Sequence, residues 1–482
     1  MPIVGRGLKR FRDVRHYLGS QCGENLKRAP YPLPRLNRSH LPPLTSQSLP
    51  GKPENVMPDF VKAIPPVEVA KATSTISTPA GFEFGAVPPI FPFGELHVHP
   101  PAPPPPPLGP LAAFVGEWVG NGFNTIFRPD SSATPTPMPG PITTTDPADN
   151  VLELNITTES LTFSQPLGVV PNRGSSTQAD ISLNGVPYLQ AINDVTAVDP
   201  NNPHSKPVGI HVEPGLWMAV PSTTAPQEPS TLVRMGSIPH GTTIQAQGTS
   251  SVNNGPPNIP PVDITPFFRG QPANKLPFQN QNASNQGTRR IPQNLTVAPF
   301  NKLTIPQWQA RITDPNSVLR DAIAGQTIKA TTTITITTAS TPTPPPTTPT
   351  FGGGTDNIAF LEGDAAGNNA NANTIQMTAT FWIEEVEHRI VLPVVPPGKP
   401  VLLRPIEPGP HSPTFNLPPP PKPVTEERII TVTSTQIQYS QTVLLNFGPL
   451  SWPHVSVATL TPKQPLNLPP SVRSRASCRE RV

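Results

Sequence analysis

The 482-residue chain has two cysteines, Cys22 and Cys478, one near each end. No disulfide framework or cysteine metal site can therefore hold an internal core, and this usage fits a cytoplasmic or other reducing compartment. Only 13% of residues are charged, with a formal net charge of +3. So small an excess, with no basic stripe interleaved with aromatics, argues against a nucleic-acid partner. No run of about 18 apolar residues exists, so no helical membrane span is expected. A GxSxG elbow, a GxxxxGK[ST] loop, HExxH and CxxC are all missing, which removes the common hydrolase, nucleotide and zinc-protease signatures. Helical periodicity is nearly absent as well.

Proline is abundant instead, with 75 residues. Residues 1–107 are rich in Pro, Ser, Thr and Lys, end in the run Pro103–Pro107, and read as a disordered Pro-rich tail. Their basic start has the composition of an organelle-targeting peptide or of a plain basic tail, without the apolar core of a secretory signal. His97 and His99 stand at chelate spacing with only Glu95 nearby, which suits a surface pair better than a metal site. Residues 463–482 read as a second basic, disordered tail.

Between Leu108 and Pro462 short runs rich in Val, Ile, Thr, Phe and Tyr alternate with Pro, Gly, Asn and Asp, which is an all-β pattern. The candidate strands are Phe114–Phe127, Val151–Ser164, Ala179–Ala191, Val208–Val220, Leu232–Ser237 with Thr242–Thr249, Lys302–Ile312, Thr327–Thr338, Thr374–Glu385 with Glu387–Leu392, Arg428–Phe447 and Val455–Leu460. One short helix is expected within Asn316–Gly325, stopped by Gly325. The polar insertions Gly255–Pro299, Ser340–Gly354, Gly363–Asn373 and Val394–Pro423 are expected to lie outside the core. About ten strands then remain, enough for a single antiparallel barrel with room for a ligand.

Phe114–Arg128 is the most constrained stretch, with Gly116, Gly120 and Gly122 sharing the parity of Trp118. Such a strand suits either a barrel corner or a glycine-rich sandwich edge. Histidine supplies the remaining chemistry. His211, Glu213 and Gly215 share one strand face with Ile210 and Val212 opposite, fitting an acid–base or ligand-anchoring pair or a half-solvated polar face. His240 reads as a solvated turn residue that could join that pair as a metal site, and His388, among charges, as exposed. His454 opens an apolar strand with the small Ser456 and Ala458 on its own side. It suits either a capped core histidine or a proximal haem ligand.

Three stretches, in order, resemble the nitrobindin family of haem-binding β-barrels, related in architecture to lipocalins and fatty-acid-binding proteins. The family's G-x-W-x-G-x-G strand is matched by Gly116, Trp118, Gly120 and Gly122, and its H-x-E-x-G strand by His211, Glu213 and Gly215. Its closing histidine strand looks similar to IQYSQTVLLNFGPLSWPHVSVATL, which puts His454 at the iron-ligand position. The resemblance implies a calycin-like barrel binding haem b, with His454 as metal ligand and Trp118, Gly120, Gly122, His211 and Glu213 as surrounding cofactor-site residues. It further implies nitric oxide binding or peroxynitrite isomerisation, with His211 and Glu213 as structural or hydrogen-bonding groups. The matched segments cover a minority of the chain. Two other classes fit the same residues: a lipocalin-like carrier of an apolar small molecule without iron, and a haem-free barrel isomerase or cyclase using His211 and Glu213. A one-residue slip before His454 would turn it outward.

Overall fold

The computed structural model describes residues 104–468 apart from 134, 139–148, 197–201, 203–204, 226, 239, 299, 340–352, 364–370, 397, 410 and 421–422. The expectations for both tails, including His97, His99 and the two cysteines, fall largely or wholly outside the described residues.

Ten strands make the barrel: β1 (Gly116–Pro129), β2 (Asn150–Phe163), β3 (Ile181–Asp194), β4 (Val208–Val220), β5 (Thr231–Ile238), β6 (Thr242–Asn254), β7 (Thr327–Thr337), β8 (Asn371–Leu392), β9 (Arg428–Phe447) and β10 (Leu450–Pro462). Each pairs antiparallel with its successor. β10 returns to β1, pairing Gly122 with Ala458 and Asn124 with Ser456. The sheet is therefore a closed up-and-down barrel, the all-β architecture that the alternating segments predict. In β7, Ile334 and Ile336 point into the core and are fully buried, as their alternation with threonine requires.

Closure depends on residues without side chains. A Cβ on Gly120 would lie 1.9 Å from the Thr459 carbonyl oxygen, and one on Gly122 would lie 2.3 Å from that of Val457. These glycines let β1 cross β10 closely, which resolves the corner-or-edge alternative in favour of a barrel corner.

One end of the barrel is plugged by the 3₁₀ turn Gly109–Phe114. Phe114 stacks on Phe163 at 4.6 Å and meets Trp217 edge-on at 5.5 Å. Trp118 donates its indole N–H to the Phe114 carbonyl at 2.7 Å. This end is a dry aromatic core.

Several expectations are corrected. Lys302–Ile312 is not a strand: Ile305–Thr313 is a helix, α1, capped by Thr304 and Gln307 with Pro306 in its first turn. Second, the insertion at 255–299 belongs to a core. Together with α1 and a second helix, α2 (Ser317–Ala322), it caps the outer face of β1, β2 and β10. Trp308, Ile312 and Leu319 pack there with Phe123, Leu154 and Val457. Arg290, fully buried, donates to the carbonyls of Asn280, Asn282, Asn285, Pro292 and Gln293. One guanidinium thus satisfies backbone that polar composition suggested would face water.

Part of the 394–423 insertion is likewise built in. Val401–Leu403, Phe415–Leu417 and Leu466–Asn467 form a small sheet packed on the extension of β8 and β9, so the described chain continues past Pro462. His388 lies against Phe415 at 5.5 Å and bonds Ser434 at 2.7 Å, half-buried rather than exposed as expected. Among the described residues no helix is long and apolar enough to cross a membrane.

Gly120→Ala should disrupt the β1–β10 crossing and cost about 1–3 kcal/mol. Val252→Ala, on an outward side chain 73% exposed, should change stability by less than about 0.5 kcal/mol. Urea denaturation of both variants checks the contrast.

Candidate functional site

At the end opposite the aromatic plug the barrel encloses a cavity of about 590 Å³. Ile126, Ile192, Ile210, Ile238, Val443 and Leu445 give it apolar walls. Three histidines reach it: His211 from β4, His240 from the β5–β6 turn and His454 from β10. Arg128, paired with Glu153 at 2.6 Å, and Phe360 with Leu361 also line it.

His454 faces inward. Its register against β1 and β9 puts it on the side of Ser456, with Val455 and Val457 turned out to the cap. Asn124 sits beside it: its amide N–H donates to His454 Nε2 at 2.7 Å and to Ser456 Oγ at 2.7 Å, while its oxygen accepts from Asn155 at 3.3 Å. These partners fix the amide and leave the Nε2 lone pair as acceptor, so the ring proton belongs on Nδ1. Burial, reinforced by the neighbouring His240 and His211, pushes the imidazole down to about 3. It is neutral at physiological pH.

His211 is placed by a bulge. Ile192 pairs with His211 and Asn193 with Gly209, so an extra residue enters β4 between them. The strict alternation that would send Ile210 to the outer face breaks there, and Gly209, Ile210 and His211 all line the cavity. His211 Nε2 lies 3.2 Å from Glu213 Oε2. The His211 and His240 rings are 6.2 Å apart, but among the described residues no group of three or more His, Cys, Asp or Glu is arranged to hold a metal ion.

Glu213 is not on the cavity wall. It belongs to a buried layer beneath it, fully enclosed, where its Oε1 accepts from Arg234 at 2.9 Å and from the Tyr188 hydroxyl. Gly215 of the same strand leaves the space that the Tyr188 ring fills, since a Cβ there would lie 2.4 Å from the ring. Arg234 spends its other donors on Tyr188 (3.0 Å), Gln441 (2.7 Å) and Gln190 (3.4 Å). In the same layer Glu159 accepts from Gln190 at 2.6 Å and from Tyr439 at 2.7 Å. The two carboxyls diverge. Burial opposes the charge on Glu213, but Arg234 and the donors around it hold it down to about 2. Burial pushes Glu159 up to about 7, and the donors Tyr439 and Gln190, with weaker help from His211 and Arg234, do not offset it.

Trp118 packs into the plug, Gly120 and Gly122 stand level with the layer beside Glu159 and Ala458, and none of the three lines the cavity; β1 contributes Asn124 and Ile126 to it instead. Sequence reasoning missed Arg234, Glu159, Tyr188 and Asn124. The available signal was a charged or amide residue at an inward position of an otherwise apolar strand, as in TLVRMGSI.

The architecture and cavity define a closed β-barrel of ligand-binding type. No protein-family model matches the chain, and no curated protein matches it either. Among solved structures, the "Crystal Structure of Rv2717c from M. tuberculosis" aligns over 74% of this chain and 97% of that one, at 9% identity and a TM-score of 0.27.

Glu159 makes a stability prediction. Its carboxyl is raised from 4.5 to about 7, so the stability it contributes is complete below pH 4.5 and is lost as pH rises towards 7. Glu159→Gln should flatten the decline of Tm across that window, as thermal melts at pH 4.5, 6 and 7.5 will reveal.

Proposed function

We propose that the cavity binds haem b, with His454 as the residue that would hold the iron. The observation carrying this reading is a neutral imidazole directed into a cavity with apolar walls and held by Asn124, whose amide also donates to Ser456. Those residues fit the group: a neutral ring nitrogen can serve as axial ligand, the isoleucine-rich walls suit a porphyrin face, and Arg128 offers a guanidinium for an acidic edge. The lone pair needed is the one Asn124 now engages, and one neutral hydrogen bond, about 1 kcal/mol, is a small obstacle to metal ligation. Bound haem would supply Lewis-acid and redox chemistry, including the nitric oxide binding or peroxynitrite isomerisation implied by the nitrobindin resemblance. The chain's own residues would orient it and keep water from the apolar walls.

A second reading, a carrier of an apolar molecule without iron, is favoured by the same isoleucine-rich lining. The third, a His211–Glu213 acid–base enzyme, has less support, because Glu213 is committed to Arg234 and Tyr188 beneath the wall.

Titration of the purified protein with haemin should give a saturable Soret shift at one haem per chain. His454→Ala should weaken it by at least about ten-fold, equivalent to about 1.4 kcal/mol. A shift indifferent to His454 would sink the reading. Asn124→Leu should have the opposite sign, tightening haemin by roughly five-fold as Nε2 loses its competing donor, provided melts show the barrel intact.

A further inference from the structure

The buried layer has one donor group left over. Gln441, 8% exposed, lines the cavity on β9 between Tyr439 and Val443. Its Oε1 accepts from Arg234 Nη1 at 2.7 Å, which fixes which end of the amide is which. Its Nε2 then carries two N–H groups that meet no acceptor among the described residues. Nε2 is not among the fully enclosed unpartnered atoms, so it reaches the cavity space, where water or a ligand oxygen can accept from it; a hydrocarbon that displaces the water leaves the amide unpaired, whereas a ligand oxygen replaces it.

The charge behind that amide sets the class of oxygen. Arg234 is matched by Glu213 at 2.9 Å, and Glu159 adds a second carboxyl to the same layer. Beside the amide no net positive charge remains for an anion, and Arg128, the cavity's other guanidinium, is half exposed and paired with Glu153, so a carboxylate seated at the deep wall would be desolvated without a partner. A neutral carbonyl needs only the two N–H donors.

We propose that the deep wall of the cavity, centred on Gln441 Nε2, is a donor subsite that selects apolar molecules carrying a neutral carbonyl oxygen over hydrocarbons and carboxylates of the same size. The subsite does not depend on haem. It lies on β9 beside the charged layer, whereas His454 stands on β10 towards Asn124. Arg234 is its positioning residue, holding the amide in one orientation.

Three naphthalene probes, matched in size, separate the chemistries in fluorescence titrations of haem-free protein at pH 7. 2-Acetonaphthone should bind about five-fold more tightly than 2-ethylnaphthalene, and 2-naphthoate more weakly than either. Gln441→Leu should abolish the ketone's advantage while leaving 2-ethylnaphthalene within about two-fold. Gln441→Met serves the same comparison if the leucine variant fails to fold. In the wild-type protein the Gln441 side-chain amide resonance should shift with the ketone and not with the hydrocarbon. Equal affinity for ketone and hydrocarbon, preference for 2-naphthoate, a ketone advantage that survives removal of Gln441, or no binding by any probe would each overturn the proposal. Because haemin is absent throughout, none of these results bears on His454, and a failed haemin titration leaves them standing.

Discussion

Everything inside this molecule depends on the pairing of the first strand with the last. β1 and β10 are separated by more than 300 residues of chain, and joining them must overcome the closure entropy of that whole span. Glycine makes the crossing possible, because Gly120 and Gly122 meet the β10 backbone where a Cβ could not fit. The crossing removes two open sheet edges at once. It also creates the site, since the register that seats Gly122 against Ala458 sets Asn124 opposite Ser456 and next to His454.

Within the closed barrel a layer of charge separates two kinds of interior. On one side lies the dry aromatic plug of Phe114, Trp118, Phe163, Trp217 and Phe381. On the other lies the cavity. The layer between them, Glu159, Tyr188, Gln190, Glu213, Arg234, Tyr439 and Gln441, is costly to bury, and a hydrophobic replacement of similar volume would rival it in stability. What it contributes is orientation. Arg234 reaches two amides, a phenol and a carboxylate, and each bond fixes a side chain facing the cavity or directly behind its wall. The polar pattern offered to a ligand is therefore set by groups the ligand need not touch.

How far the sequence disclosed this varied with how local the signal was. Alternation in Thr327–Thr338 and Arg428–Phe447 was readable because period two survives wherever one face is buried. The direction of His454 stayed open, because a one-residue slip reverses the parity, and only its register against β1 and β9 turns it inward. At His211 parity failed, because the bulge before it places consecutive residues on one wall, and a bulge requires knowledge of the partner strand. α1 was misread although Thr304, Pro306 and Gln307 spell a helix start, since the apolar residues after them also fit a strand. The charged layer was invisible for a different reason. Arg234, Glu159 and Gln441 come from strands β5, β2 and β9, and only closure brings them together.

The Asn-, Gln- and Pro-rich insertion shows why composition misleads about packing. Polarity argues for solvent only when backbone groups have no better partner. Arg290 supplies one: five carbonyls converge on a single guanidinium, and the segment becomes a lining for Trp308, Ile312 and Leu319. The cap they form covers β1, β2 and β10, the strands that carry Asn124, Asn155 and His454 on their inner faces. Val455 and Val457 are held by the cap on one side of β10 while His454 and Ser456 face the cavity on the other. Because successive residues of a strand cannot move independently, packing on the outer face limits how far the imidazole can shift. The insertion thus serves the site without touching it.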